Sequence, residues 1–382
     1  MNPELALLVR ESLHGVAEIE FGSHGLKFSR LAKKFAVFHD HDQLTEKVAA
    51  QGSGSRIALM TSASEVTLTY RSTRDMTKDL SFIGKPSVVT LTCGEYSESI
   101  HHDNGDLRVW NGAELVEITV GDNSQATFNI PHLHEAGEIV DQLIEIWLPH
   151  NCNIEIVDLF ADAPLRPAVI TSPRWVHYGS SISHCVEADE PTGVWPVAVA
   201  RELNLDLFNL GLAGSANLEL FAAHAIRELQ PAIVTLKVGI NTVNGRHLTR
   251  RTFIPAVHSF LDNIREYHPK IPIVVVSPII CPGHESLPGP TRVDLNGKVI
   301  GSEPCDLEWV EDLTLVEIRQ ILLQVINRRD DDNLFYLDGL ELFGLDDIEL
   351  LPDGLHPNSE GYRIIGQRFM HLLSPLVDSM NL

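Results

Sequence analysis

A chain of 382 residues exceeds what a single hydrophobic core usually serves, so two domains are expected, and a hydrophobic fraction of 44% beside 21% charged residues is that of a globular protein. Its 29 lysines and arginines face 52 aspartates and glutamates, a formal charge of -23, which repels phosphate backbones and anionic lipid and argues against nucleic acid and membrane partners. No run approaches the roughly 20 apolar residues of a membrane span, and Met1 to Leu5 lack a basic stretch ahead of an apolar one, so a cytoplasmic location is expected.

In chain order, Pro3 to Leu13 has the spacing of a short amphipathic helix. From about residue 15 to 160 short strand-like runs follow one another, among them Arg56 to Leu59, Glu65 to Tyr70, Ser87 to Leu91, Glu114 to Val120 and Ile139 to Leu148. Val66-Thr67-Leu68-Thr69-Tyr70 has the period of two of a strand with one buried face, and no helical periodicity stands out within this half. A jelly-roll-like β-sandwich over residues 1–165 is expected, closed by the proline-containing connection Ala161 to Pro167.

Residues 166–382 change rhythm to strands alternating with helices, the pattern of a parallel sheet covered on both faces. The expected strands are Trp175 to Tyr178, Leu205 to Leu210, Ile233 to Val238, Ile273 to Val276 and Leu334 to Leu337. The expected helices are Gly193 to Leu203, Ala216 to Leu229, Arg251 to Tyr267, Leu313 to Arg328 and Ser359 to Leu373. This is an α/β class, flavodoxin-like three-layer α/β/α domain, whose ligand site belongs beyond the C-terminal strand ends. The proline- and glycine-rich stretch from Cys281 to Asp312 is long for a passive connection and is expected to be a substrate-side loop.

Four segments at such strand ends carry chemistry. In His177-Tyr178-Gly179-Ser180-Ser181-Ile182, a glycine permits a tight turn that presents Ser181 and its N–H at the sheet edge, although Gly-Ser-Ser also occurs in ordinary turns. Asn209-Leu210-Gly211-Leu212-Ala213-Gly214 and Gly239-Ile240-Asn241-Thr242 put a small residue and a side-chain amide where both can donate to a developing oxyanion. In Asp353-Gly354-Leu355-His356 the carboxylate can fold back on one ring nitrogen while the other faces a nucleophile; the same residues also suit a plain turn before a helix.

Taken together and in this order, the four segments resemble the SGNH/GDSL hydrolase family over residues 165 to 375. The resemblance implies Ser181 as nucleophile, Asp353 and His356 as acid and base, and an oxyanion hole of Ser181, Gly214 and Asn241. It implies an ester hydrolase working through an acyl-serine, with neither metal nor organic cofactor. Two aspartates common in the family are replaced, by Ser180 and Thr242. Gly-Ser-Ser-Ile is also similar to the branch that carries a β-sandwich ahead of the catalytic domain, carbohydrate acetyl esterases among them. The expected substrate is a small-molecule or glycoside ester, with acyl transfer to an alcohol or amine and a vestigial glycan-binding or assembly protein as alternatives, and with homo-oligomerisation left open.

His184 and Tyr178 are expected to line the substrate pocket, and Trp175 and Trp195 serve either sugar stacking or the core. His39-Asp40-His41-Asp42, His101-His102-Asp103 and His132-Leu133-His134 lack partners at zinc spacing and read as solvated loops. The five scattered cysteines contain no C-x-x-C pair and are expected to be free thiols.

Overall fold

A computed structural model describes residues 1–38, 43–80, 82–135, 138–306 and 311–379. The chain divides into two compact units: one of Met1–Lys33, Glu46–Thr171 and Asp189–Val194, the other of Lys34–Thr45, Ser172–Ala188 and Trp195–Leu382.

The first unit is two sheets around one core. One sheet is ordered Leu13–His14, Arg56–Thr61, Gln142–Trp147, Ser87–Cys93, Tyr96–His102; the other runs Glu18–Phe21, Leu26–Ser29, Asn153–Ala161, Glu65–Thr77, Asp106–Asn111, Glu114–Thr119. The alternation at residues 65–70 does what its period requires: Val66, Leu68 and Tyr70 are buried, and the threonines between them are not. They pack with Ala126, Phe128 and Ile156 of their own sheet and with Ile57, Leu59, Leu91 and Ile146 of the other. Each such side chain contributes roughly 1.5–3 kcal/mol by leaving water. The N-terminal helix spans Pro3–Ser12, capped by Asn2.

Two expectations for this half are corrected. A helix, Gln43–Ala49, lies where none was expected. It buries Val48 and Ala49, and the buried Arg30 guanidinium ties down its end by donating to Val48 O (2.7 Å) and Gln51 O (2.8 Å). The run Ile139 to Leu148 is not one strand: Glu138–Val140 pairs with Leu133–Glu135, whereas Gln142–Trp147 joins the sandwich beside Arg56–Thr61.

The second unit is a parallel sheet, five-stranded among the described residues, in the order Asp206–Gly211, Arg174–Gly179, Ile233–Lys237, Ile273–Val276, Leu334–Leu337. In chain order this is 2-1-3-4-5, the flavodoxin-like winding, and the strands agree with the sequence expectation to within a residue or so. The strand Arg174–Gly179, second in this order, shows why both faces are covered. Trp175 points to one layer, stacking on Phe369 of the helix Ser359–Ser379 and meeting Trp195 of the helix Trp195–Glu202. Tyr178, on the opposite face, stacks on Phe260 of the helix Arg250–Tyr267. Strands buried on both faces are continuously apolar rather than alternating, as in Ile273-Val274-Val275-Val276. Among the described residues no helix is long and apolar enough to cross a membrane.

Candidate active site

The site lies at the C-terminal ends of the first three strands of the parallel sheet, where the winding reverses. The strand Arg174–Gly179 turns at once into the short helix Ser181–His184. A side chain at Gly179 would overlap Ser183 Oγ, so only glycine lets strand and helix approach this closely. Ser180 caps the helix through its hydroxyl, which accepts from Ile182 N–H, and Cys185 ends it in the left-handed conformation at φ 61°. Ser181 thus opens the helix, at the end whose backbone N–H groups have no partner within it.

Asp353 and His356 come from the turn ahead of the last helix. Asp353 Oδ1 accepts the N–H groups of Leu355 (2.8 Å) and His356 (2.7 Å), which folds the turn, with Gly354 supplying φ +82°. Its Oδ2 lies 2.7 Å from His356 Nδ1, and His356 Nε2 lies 2.8 Å from Ser181 Oγ. A carboxylate on Nδ1 makes that nitrogen the protonated one, leaving Nε2 to accept the serine O–H. Burial opposes ionisation of Asp353, but the hydrogen bond and charge of His356 and two backbone N–H groups outweigh it and pull its pKa down to about 2. Burial likewise opposes the imidazolium of His356. The hydrogen bond to Asp353 and the charges of Glu187 and Asp353 outweigh it, and the pKa is raised above 6.5.

Gly214 and Asn241 follow the two strands that flank Arg174–Gly179. Leu212 N–H donates to Gly179 O (2.7 Å), fastening the Gly214 loop to the strand that leads into Ser181, and Gly214 is exposed at φ +78°. Asn241, on the short helix Ile240–Asn244, is buried, and its Oδ1 accepts Ala216 N–H at 3.1 Å. That bond assigns the amide orientation and leaves Nδ2 as the group able to donate to a ligand. A backbone donor carries no side-chain signal, so this tie was not legible in the sequence.

Tyr178 and His184 differ from expectation, since both are wholly buried and line no surface. Strand alternation directs Tyr178 into a helix layer, where its hydroxyl donates to Glu219 Oε2 (2.5 Å) and accepts Leu218 N–H (3.1 Å). His184 Nδ1 lies 3.1 Å from Gly211 O. Both brace the floor of the Gly214 loop from below. Trp175 and Trp195 are also fully buried and belong to the core.

The stretch 281–306 makes a contact that sequence reasoning missed. Val299 N–H donates to Asp353 O (2.7 Å), Cys281 Sγ–H to Gly354 O (3.3 Å) and Lys298 Nζ to Leu351 O (3.0 Å), so this stretch buttresses the Asp353–His356 turn. Residues 307–310 of the same loop lie outside the described residues, as does the His39-Asp40-His41-Asp42 cluster. His102 is spent on the Tyr70 hydroxyl (3.1 Å), and His132 and His134 meet edge to face. Among the described residues no group of three or more His, Cys, Asp or Glu side chains is arranged to hold a metal ion. The cysteines are free thiols.

Comparison with known proteins bears on this geometry. No curated protein matches the chain. Among solved structures it resembles the salicylyl-acyltransferase SsfX3 from a tetracycline biosynthetic pathway, at 22% identity over 95% of this chain and 94% of that one, with a TM-score of 0.75. It also resembles a putative GDSL-like lipase from Bacteroides ovatus (16% identity, 98% and 97% covered, TM-score 0.65). A family two carbohydrate esterase from Cellvibrio japonicus is a third (11%, 97% and 97%, TM-score 0.56). At these identities the likeness is one of fold. In sequence, residues 177–364 match the profile of the GDSL-like lipase/acylhydrolase family, and this part of the chain, carrying the Ser181, Gly214, Asn241 and His356 segments in family order, is a GDSL-like lipase/acylhydrolase domain.

Proposed function

We propose that the protein is a serine esterase that cleaves a carboxylic ester through an acyl-Ser181 intermediate. The observation that carries the reading is the continuous relay from Asp353 Oδ2 through His356 to Ser181 Oγ, at 2.7 and 2.8 Å. A serine hydroxyl is a weak nucleophile by itself; an imidazole on its proton, oriented by a carboxylate, removes that limitation.

In the first step His356 Nε2 takes the Ser181 proton as Oγ bonds to the ester carbonyl carbon. The carbonyl oxygen becomes an oxyanion, stabilised by Ser181 N–H, Gly214 N–H and Asn241 Nδ2. The imidazolium, held by ionised Asp353, then protonates the leaving alcohol as the C–O bond breaks. Water repeats the sequence, giving its proton to His356 and releasing the acid and free Ser181. The oxyanion donors act in a partly dehydrated site, where preorganised dipoles count for more than in water.

For substrate we favour a short acyl ester of a small metabolite or glycoside, with the β-sandwich unit facing substrate or partner. A second reading, transfer of the acyl group to an alcohol, is supported by the presence of a salicylyl-acyltransferase among the proteins of the same fold. The two share every residue above and differ only in which nucleophile reaches the acyl-enzyme. Hydrolysis of p-nitrophenyl acetate through octanoate, with and without an added alcohol, tests both. Serine-dependent release of acid supports the esterase, a transesterified product in preference to acid supports the transferase, and no release with any chain length contradicts both.

A further inference from the structure

A second tie joins the element that carries the nucleophile to the element that carries the base. After the helix Ser181–His184 the chain turns back, Ala188 N–H donating to Cys185 O at 3.0 Å, and this turn contains Glu187. Glu187 Oε2 accepts the hydroxyl proton of Tyr362 at 2.8 Å. Tyr362 is fully buried in the first turn of the helix that follows His356, a turn anchored by Gly361 N–H on Asn358 Oδ1 and Tyr362 N–H on Asn358 O. The Ser181–His356 and Glu187–Tyr362 bonds therefore fasten the segment 181–187 to the segment 356–362 at both ends.

We infer that Glu187, clamped by Tyr362, is a second positioning carboxylate for His356, working beside Asp353. This rests on the reading of Ser181 and His356 as nucleophile and base. The Asp353 side chain is 40% exposed, so water screens part of its hold on a positive ring. Glu187 stands on the segment that carries Ser181, and Tyr362, whose hydroxyl it accepts, lies wholly inside the protein. The same Glu187 charge acts on His356 in favour of the imidazolium. The other titratable groups around this arrangement are the Cys185 thiol and the Tyr362 phenol, and the Cys281 thiol on the Asp353 side; burial pushes all three up, and they stay neutral at pH 5–8. Lys237 lies behind Cys185 and acts on it and on His177, and Lys298 is spent on the Leu351 carbonyl. Asp353 and Glu187 are therefore the anions that stabilise the charged ring. Glu187 touches no substrate atom in this scheme.

The test is the pH profile of kcat/KM for p-nitrophenyl acetate in wild type, Glu187→Gln, Glu187→Asp and Tyr362→Phe, alongside titration of the His356 ring by NMR in a Ser181→Ala background. Glutamine keeps an oxygen for the Tyr362 hydroxyl and removes only the charge. The acid limb and the ring titration should both move to lower pH by roughly half a unit, with KM unchanged and aspartate restoring most of the shift. Tyr362→Phe keeps the charge and frees its carrier, so kcat should fall severalfold while the limb shifts less than in Glu187→Gln. A Glu187→Gln limb and ring titration that coincide with wild type would overturn the inference while leaving the esterase reading intact. A wild type without ester turnover would overturn that reading, and the ring titration would still decide whether Glu187 supports the imidazolium.

Discussion

Two serine–histidine pairs lie side by side in this molecule. Ser183 Oγ is 2.8 Å from His177 Nε2, and Ser181 Oγ is 2.8 Å from His356 Nε2, so bond length does not distinguish them. What stands behind each imidazole does. His177 is buried in the strand Arg174–Gly179 with the neutral Thr235 hydroxyl 2.6 Å from its Nδ1; burial and the nearby Lys237 push its pKa down to about 3. His356 has a carboxylate on Nδ1, a second acidic charge nearby and a side chain 23% exposed, and its pKa is raised. The first ring resists a proton throughout the physiological range and holds the core together. The second is disposed to take up a proton, the property a general base requires. A serine–histidine contact is therefore a poor signature of catalysis until the charge behind the ring is known.

The largest effect that separates the two pairs is loss of turnover. Ser181→Ala should reduce kcat for p-nitrophenyl esters by about 100,000-fold or more, as removal of the nucleophile does elsewhere; residual activity within tenfold of wild type contradicts its role. Next, Asn241→Ala should lower kcat by about 100- to 1,000-fold with little change in KM, the mark of a donor that acts mainly in the transition state. Steady-state kinetics that move KM alone would recast Asn241 as a ground-state contact. The pH profile comes third. Activity requires neutral His356, whose raised pKa places the acid limb above pH 6.5, with activity falling as pH drops through it. His177, near 3, contributes nothing between pH 5 and 9, so a limb below pH 6 would contradict the assignment. The smallest effect is that of Ser183→Ala, which should leave turnover within about threefold and cost about 1 kcal/mol of stability from one buried hydrogen bond, read as a melting shift of a few degrees.

Much of the fold of the parallel-sheet unit was legible because its signals are local. Strands such as Ile233–Lys237 and Ile273–Val276 are apolar runs bounded by turn residues, and the four functional segments each sit at a strand end or helix start that glycine and asparagine mark. What escaped depends on partners distant in sequence. Tyr178 and His184 read as pocket residues because they flank Ser181, yet Tyr178 lies on a strand covered on both faces, which sends each successive side chain into a packed layer, and His184 ends a short helix with its ring buried against Gly211 O. The support that Val299, Cys281 and Lys298 give the Asp353 turn runs mostly through backbone atoms, which leave no residue pattern. In the sandwich unit, the helix Gln43–Ala49 is only two turns long and is secured by Arg30 from outside itself, so its own periodicity was too short to announce it. Asp141 divides two strands that read as one because both flanks are rich in isoleucine and leucine.

Covalent labelling tests the central claim most directly. The wild-type protein, treated with a fluorophosphonate and examined by intact mass and peptide mapping, should gain a single adduct on Ser181, and none in Ser181→Ala. An adduct mapped to Ser183, or no adduct on a protein that still hydrolyses esters, would contradict the account and return the two serine–histidine pairs to equal standing.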